Sequence, residues 1–324
     1  MSGATEVVAA EAAPKQRKRL AVARFPGEGV EAVGCVDWLM QTVHDFRDDP
    51  GYELLPPFSI RDTPVTMSRN RAVVFAREMR ADLLLFLDSD MVPDLDVGKD
   101  PGAKPFLRTS LDFMAKVDGP SVVAAPYCGP PPHESVYVFD WKWEGDARRP
   151  DFRGCLEMVP RNFAAHLTGI QQAAALATGV QLMTMDVFDR LPAPWFYYEA
   201  KDREWTRKAS TEDVTFSRDC TLLRVPTFCN WDAWAGHVKQ VVVGKPLKAT
   251  VDIVHSKIRG IIAAGFERGD SVAGVGALAP HEPLWPDLFP AATPADVVRW
   301  KAGAEPHPLP VEAGSTPRLP VFTV

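Results

Sequence analysis

Residues 83–94 read LLLFLDSDMVPD, and the fold turns on how this stretch is read. Five apolar residues run without a break into Asp88-Ser89-Asp90. Such a run is the mark of a strand buried on both faces, as in a parallel sheet with helices on either side. Acids are kept away from a strand of this kind unless they hold something. Two carboxylates one residue apart can face a single cation if the backbone turns there. Mg²⁺ and Mn²⁺ prefer oxygen ligands, and Mg²⁺ commonly takes one or two carboxylates plus substrate phosphates. The other reading open to an isolated Asp-x-Asp is an Asx turn or a cap that closes the strand.

Upstream, the chain alternates. RLAVARF (19–25) is strand-like, and VEAVGCVDWLMQTVHDF (30–46) has helical apolar spacing at Val30, Val33, Val36, Leu39 and Val43. YELLPPFSI (52–60) is a second strand weakened by its prolines. SRNRAVVFAREMRA (68–81) is a helix with Ser68 as its N-cap. Strand, helix, strand, helix, strand is an α/β open sheet, and in such sheets ligands bind beyond the carboxyl ends of the strands. Asp88 and Asp90 stand at one such end.

Downstream, FLRTSLDFMAKV (106–117) is a helix and SVVAAPY (121–127) a buried strand. SVYVFDWKW and FRGCLEMVP alternate like antiparallel strands, VQLMTMDVFDRL is a strand followed by a short helix, and TEDVTFSRDCTLL is helical. The second half is therefore mixed α+β and is expected to shape the partner's side of a site. The predicted organisation is a disordered lead-in over 1–18, one catalytic domain over 19–275, and a proline-rich tail over 276–324. The domain divides into a nucleotide-binding half (19–127) and an acceptor half (128–275). Ten prolines fall between Pro280 and Pro320, so the tail reads as extended and wrapping the body, or as partly disordered.

The 324 residues are 46% apolar and 24% charged, enough for a sizeable core. A formal net charge of −6 gives no whole-surface attraction to nucleic acid, leaving only a local basic groove. Five scattered cysteines without a Cys-x-x-Cys pair point to reduced thiols and a cytoplasmic protein. No apolar run is long enough for a membrane helix, and the N-terminus lacks the features of a secretory signal.

Residues 68–94 resemble the nucleotide-sugar-binding half of the GT-A-type, family-2-like glycosyltransferases: a helix with Arg and Asn near its start, an apolar strand, then Asp-x-Asp. Three later segments are similar to that family in the same order. They are ATGVQLMTMDVFDRL with its Gly179 turn, STEDVTFSRDC with a Glu-Asp pair opening a helix, and AWAGHVK with a late histidine. The resemblance spans about residues 19–245. It implies a GT-A fold, a Rossmann-like mostly parallel central sheet flanked by helices, with a smaller antiparallel sheet on the acceptor side.

Residue by residue, the resemblance implies that Asp90 binds Mn²⁺ or Mg²⁺ directly. Asp88 contacts the metal or the donor's hydroxyls, with Ser89 beside them. His237 completes the metal site, and His255 is the second choice for that role. Arg69 and Asn70 lie near the nucleotide or diphosphate, and Gly179 lies under the donor sugar. Asp213 is the base near the acceptor hydroxyl, with Glu212 next to it. The loop RFPGEG (24–29) departs from the family pattern, leaving Arg24 and Pro26 as candidate contacts to the base. The aromatic and basic stretch 192–210 offers Trp195, Tyr197 and Trp205 to an acceptor, since such mixtures suit sugar rings and flipped nucleobases alike.

The expected activity is transfer of a hexose or pentose from a nucleoside diphosphate sugar, with UDP as the nucleotide, to an acceptor hydroxyl. The acceptor classes are a saccharide, a protein or a hydroxylated base in DNA. Two other readings are open. A nucleotidyltransferase acting on sugar phosphates would want a Gly-rich basic loop after the first strand, and RFPGEG is poor in Lys and Arg. A non-catalytic carbohydrate- or nucleic-acid-binding module does not need Asp88, Asp90, Asp213 and a late histidine together.

Overall fold

The computed structural model describes residues 16–26, 31–61, 64–130, 134–144, 153–200, 208–239, 242–243 and 293–301. The chain up to residue 127 contains β1 (Lys18–Phe25), α1 (Val33–Asp45), β2 (Tyr52–Leu54), β3 (Phe58–Ser59), α2 (Val65–Glu78), β4 (Leu83–Asp88), β5 (Met91–Val92), α3 (Phe106–Met114) and β6 (Val122–Ala124). There follow β7 (Val138–Glu144), β8 (Arg153–Met158), α4 (Arg161–Ala164), β9 (Ile170–Gln172), β10 (Ala175–Leu176), β11 (Val180–Thr184) and α5 (Val187–Arg190). The last described elements are β12 (Glu199–Ala200), β13 (Lys208–Ser210), α6 (Glu212–Leu222), β14 (Thr227–Asn230), β15 (Gly236–Val238), β16 (Val242–Val243) and α7 (Pro294–Lys301).

Among the described residues, one eight-stranded sheet runs in the order β2-β1-β4-β11-β6-β14-β9, with β3 also on β1. β1 is parallel to β2, β3 and β4. β11 inserts antiparallel between β4 and β6, and β6 is parallel to β14. Small antiparallel sheets, β10-β7-β8 and β16-β15-β5, flank this one. This is the mixed α/β architecture that the sequence predicts, a mostly parallel central sheet flanked by helices with smaller antiparallel sheets beside it.

β4 shows why it forms the centre. Its Leu84 and Phe86 pack with Ala72, Val73 and Ala76 of α2 and with Phe216 and Cys220 of α6. Its Leu83, Leu85 and Leu87 pack on the other face with Cys35 and Leu39 of α1 and with Phe106 and Leu111 of α3. All five are essentially buried, and each contributes about 1.5–3 kcal/mol by leaving water. The continuous apolar run is thus a strand with helices on both sides.

Four local expectations are corrected. The valine stripe of α1 does not face the core: Cys35, Leu39 and Thr42 are buried, while Val33, Val36, Met40 and Val43 are exposed. The helix carries two apolar stripes, and only one meets the sheet. Ser68 is not a cap, because α2 begins three residues earlier behind Pro64, and Ser68 is buried within it. An extended proline before the first turn starts the helix instead. YELLPPFSI splits at Pro56-Pro57 into β2 and β3, both parallel to β1. The proline-rich tail contains a helix, α7, whose start is tied by reciprocal bonds between Thr293 and Asp296, with Pro294 in the first turn. Among the described residues no helix is long and apolar enough to cross a membrane.

Candidate active site

The two aspartates of Asp88-Ser89-Asp90 serve two different clusters. β4 ends at Asp88, whose amide donates to the Gly179 carbonyl at 2.9 Å. Its side chain turns toward α2. There Arg69, 4% exposed, reaches Asp88 Oδ2 with Nη2 at 3.3 Å and Glu212 Oε1 with Nη1. Arg69 lies in the second turn of α2 and Glu212 in the first turn of α6, so both helices aim into the carboxyl end of β4. Burial raises the Asp88 carboxyl above the ordinary carboxylate range, and the Arg69 charge only partly offsets this. Asp88 Oδ1 is buried without a hydrogen-bond partner among the described residues.

Asp90 faces the other way. β5 pairs antiparallel with β15, so that His237 stands opposite Met91, and Val238 N–H donates to the Asp90 carbonyl at 2.7 Å. Asp90 Oδ2 then lies 3.2 Å from His237 Nε2 and 2.7 Å from Lys239 Nζ. Burial opposes ionisation of Asp90, but the hydrogen bonds and charges of His237 and Lys239 win and bring its carboxyl down to about 2.

The tautomer of His237 follows from its other nitrogen. Nδ1 is 3.0 Å from the Cys128 carbonyl, which can only accept, so Nδ1 carries the proton. Nε2 then faces the carboxylate oxygen: a protonated ring pairs with it directly, and a neutral ring turns a lone pair to it, so that a cation between the two acceptors can replace the proton. A ring N–H anchored on a backbone carbonyl with the opposite nitrogen turned to a carboxylate is the usual posture of a metal-binding histidine. Among the described residues no group of three His, Cys, Asp or Glu side chains forms a preassembled cation cage. Asp90 and His237, with Asp88 Oδ1 unpaired nearby in sequence, suit an ion that takes its remaining ligands from phosphates and water.

Gly179, Tyr127 and Asp213 close the space between the clusters. A Cβ on Gly179 would lie 3.0 Å from the Tyr127 hydroxyl and 3.1 Å from Met91 Sδ. The Tyr127 ring meets the His237 ring edge-on at 5.1 Å. Burial, then the charges of Asp88 and Asp213, raises the Tyr127 phenol well above its ordinary range, so it stays a hydrogen-bond donor. Asp213 is half-buried, with Oδ1 accepting from the Val214 amide at 2.9 Å. Glu212 also bonds the Tyr198 side chain.

The structure draws Asp88, Asp90, Arg69, Glu212, Asp213, Gly179 and His237 to one end of the sheet. Ser89 is buried in the turn, its carbonyl accepting from Ala32. Arg24 pairs with Glu31. The Asn70 amide is spent on backbone: it donates to Thr66 and Phe196 carbonyls and accepts from Trp195 and Phe196 amides. Trp195 is buried, with Nε1 donating to the Phe188 and Leu191 carbonyls. Tyr197 is held by Asp219 and Arg218. These three anchor the loop after α5 in the core, so the aromatic stretch turns its first members inward. Trp205 and His255 lie outside the described residues, and Pro26 is the last residue before a break in them.

Three contributors escape a reading of the sequence. Tyr127 lies three residues beyond the end of the central strand β6, and that place is the available signal for it. Lys239 shares a face with His237 by strand alternation. Asp94, with a left-handed φ of 59°, accepts from Trp38 Nε1 at 2.7 Å and from the Phe106 amide at 2.6 Å. It thereby ties the loop after β5 to α1 and to the start of α3.

Fold and site together define a mixed α/β protein with an acidic, histidine-bearing cluster at the carboxyl end of its central strand. No protein-family model matches the chain, and no curated protein matches it in sequence. Solved structures show a partial likeness to it. The chain is similar to A197 from STIV at 16% identity and a TM-score of 0.44, over 74% of this chain and 99% of that one. It is similar to GalNAc-T7, solved with UDP, GalNAc and Mn²⁺, at 9% identity and a TM-score of 0.37, over 69% of this chain and 44% of that one. It is also similar to apo-UDP-glucose pyrophosphorylase at 10% identity and a TM-score of 0.30, over 69% of this chain and 74% of that one.

Proposed function

We propose that this protein is a metal-dependent glycosyltransferase that moves a sugar from a nucleoside diphosphate sugar, UDP being the favoured nucleotide, to a hydroxyl of a saccharide acceptor. The reading rests above all on the convergence of Asp90 and His237, 147 residues apart, with Nε2 3.2 Å from the carboxylate oxygen and Nδ1 held on the Cys128 carbonyl. A non-catalytic binding module has no use for that posture beside a buried Arg69-Asp88-Glu212 cluster.

Asp90 and His237 would hold Mn²⁺ or Mg²⁺ together with the diphosphate. The ion supplies charge neutralisation on the leaving diphosphate as the sugar–phosphate bond breaks. Asp88 Oδ1 accepts from a hydroxyl of the donor. Glu212 is bound to Arg69 and Tyr198, so its task is to fix α6. Asp213, one residue on and half-buried, is the carboxylate that takes the acceptor's proton as its oxygen attacks the sugar carbon. The Tyr127 phenol, against Gly179, donates a hydrogen bond toward the donor. The net charge of −6 favours a saccharide over DNA as acceptor.

A panel of sugar nucleotides scored for hydrolysis and transfer, with Mn²⁺ and with Asp90→Ala as control, tests this reading. Asp90→Ala should cost about 100-fold or more in rate, since even indirect supports of metal ligands cost 10–100-fold. Turnover that survives the substitution would remove the metal assignment. UDP with Mn²⁺ should raise the melting temperature above that with either alone. No shift with any nucleoside diphosphate would sink the donor assignment.

A further inference from the structure

Lys239 is not required by a bare metal site, yet its ammonium lies 2.7 Å from the same Asp90 oxygen that His237 faces. A divalent ion bound to Asp90 at about 2.0–2.2 Å would meet that ammonium as a like charge at close range. The two cations cannot share Asp90 Oδ2 without one of them moving. Lys239 can move: it is half exposed and sits at the end of β15, on a flexible four-carbon stem. His237 cannot, being buried and tied to the Cys128 carbonyl. The diphosphate that accompanies the ion offers the displaced ammonium a new set of oxygens.

We propose that Lys239 is an exchangeable cation: it neutralises Asp90 in the metal-free protein, gives up that carboxylate when the metal enters, and then binds the diphosphate oxygens. This inference rests on the metal and donor assignment above and adds a residue and an order of events to it. Removing the lysine then has two effects of opposite sign. The metal alone binds more tightly, because its competitor for Asp90 is gone. The nucleoside diphosphate binds more weakly in the presence of metal, because a charged contact is lost. A residue that only stabilised the β5–β15 pairing would weaken both.

The test uses the full chain and Lys239→Met, which keeps the stem and removes the charge. Free Mn²⁺ is followed by electron paramagnetic resonance, first with Mn²⁺ alone and then with UDP at saturating Mn²⁺. The variant should bind Mn²⁺ about 2- to 5-fold more tightly, the range of an exposed ion pair. It should bind UDP about 10-fold more weakly, the range of a lost charge-assisted hydrogen bond. Lys239→Arg should restore UDP affinity. If wild type shows Mn²⁺-dependent UDP binding and Lys239→Met leaves both affinities unchanged, or weakens both, the exchange role is overturned and the transferase reading stands. If wild type shows no Mn²⁺-dependent UDP binding, the metal and donor assignment itself falls.

Discussion

Replacing Arg69 by Met would remove the cation shared by Asp88 and Glu212 while keeping most of the side chain's volume beside Phe25, whose ring lies 5.9 Å from the guanidinium carbon. Breaking a buried ion pair by deleting one partner costs about 3–5 kcal/mol, because a charge is left uncompensated. Here two carboxylates lose their partner. The Asp88 side chain is 25% exposed and that of Glu212 10%, so water recovers part of the loss, and about 3–4 kcal/mol is expected at pH 7.5. At about 2–4 °C per kcal/mol for a chain of this size, the melting temperature should fall by roughly 6–15 °C.

Two internal controls tie that loss to charge. Asp88 already has a raised carboxyl pKa through burial, and without Arg69 the rise is greater. A carboxyl raised in the folded state destabilises increasingly as pH climbs above its unfolded value of 3.8, so the penalty of Arg69→Met should shrink as pH falls toward that value. Adding Glu212→Gln to the Met variant removes one stranded charge and should recover about 1–2 kcal/mol, although Glu212→Gln alone destabilises. Urea unfolding of the four proteins at pH 5 and 7.5 measures these quantities. A loss under about 1 kcal/mol for Arg69→Met, or no recovery in the double variant, would refute the account of a charge-coupled cluster joining α2, β4 and α6.

Two further outcomes follow from the geometry. Burial alone raises the Asp140 carboxyl of β7 to about 6, against 3.8 for the free group, so stability should decline as pH rises from about 4 to 6 and level off above. At about 1.4 kcal/mol per unit the full effect is at most about 3 kcal/mol, and Asp140→Asn should abolish the slope and raise the melting temperature at pH 7; an unchanged slope in melts across that range would contradict it. Gly179→Ala would press a methyl group against Tyr127 and Met91, costing about 1–3 kcal/mol of stability and displacing the phenol beside His237. Its loss of donor turnover should exceed what its melting curve explains, and normal turnover would show that Tyr127 takes no part.

Much of this was legible in order along the chain. The run Leu83–Leu87 announces a strand buried on both faces, because only that environment accepts five consecutive apolar side chains, and the acids after it mark the strand's carboxyl end. Glu212 and Asp213 at a helix start were legible in the same way. Less legible was direction. α1 offers two apolar stripes, and nothing local tells which one the sheet will cover. Asn70 and Trp195 have the chemistry of a binding site, yet their polar atoms hold the loop after α5, because buried backbone groups claim any donor or acceptor within reach.

Sequence by itself determined the alternation of strands and helices and the placing of carboxylates at the end of β4, since side-chain periodicity and strand ends are local properties. Tertiary structure alone decided that Asp88 and Asp90 part company, one toward Arg69 and Glu212, the other toward His237 and Lys239. That division depends on the pairing of β5 with β15 and on the convergence of α2 and α6, whose Arg69 and Glu212 are 143 residues apart. Such contacts are fixed by sheet register and by the packing of a shared core, and neither leaves a trace in the spacing of neighbouring residues.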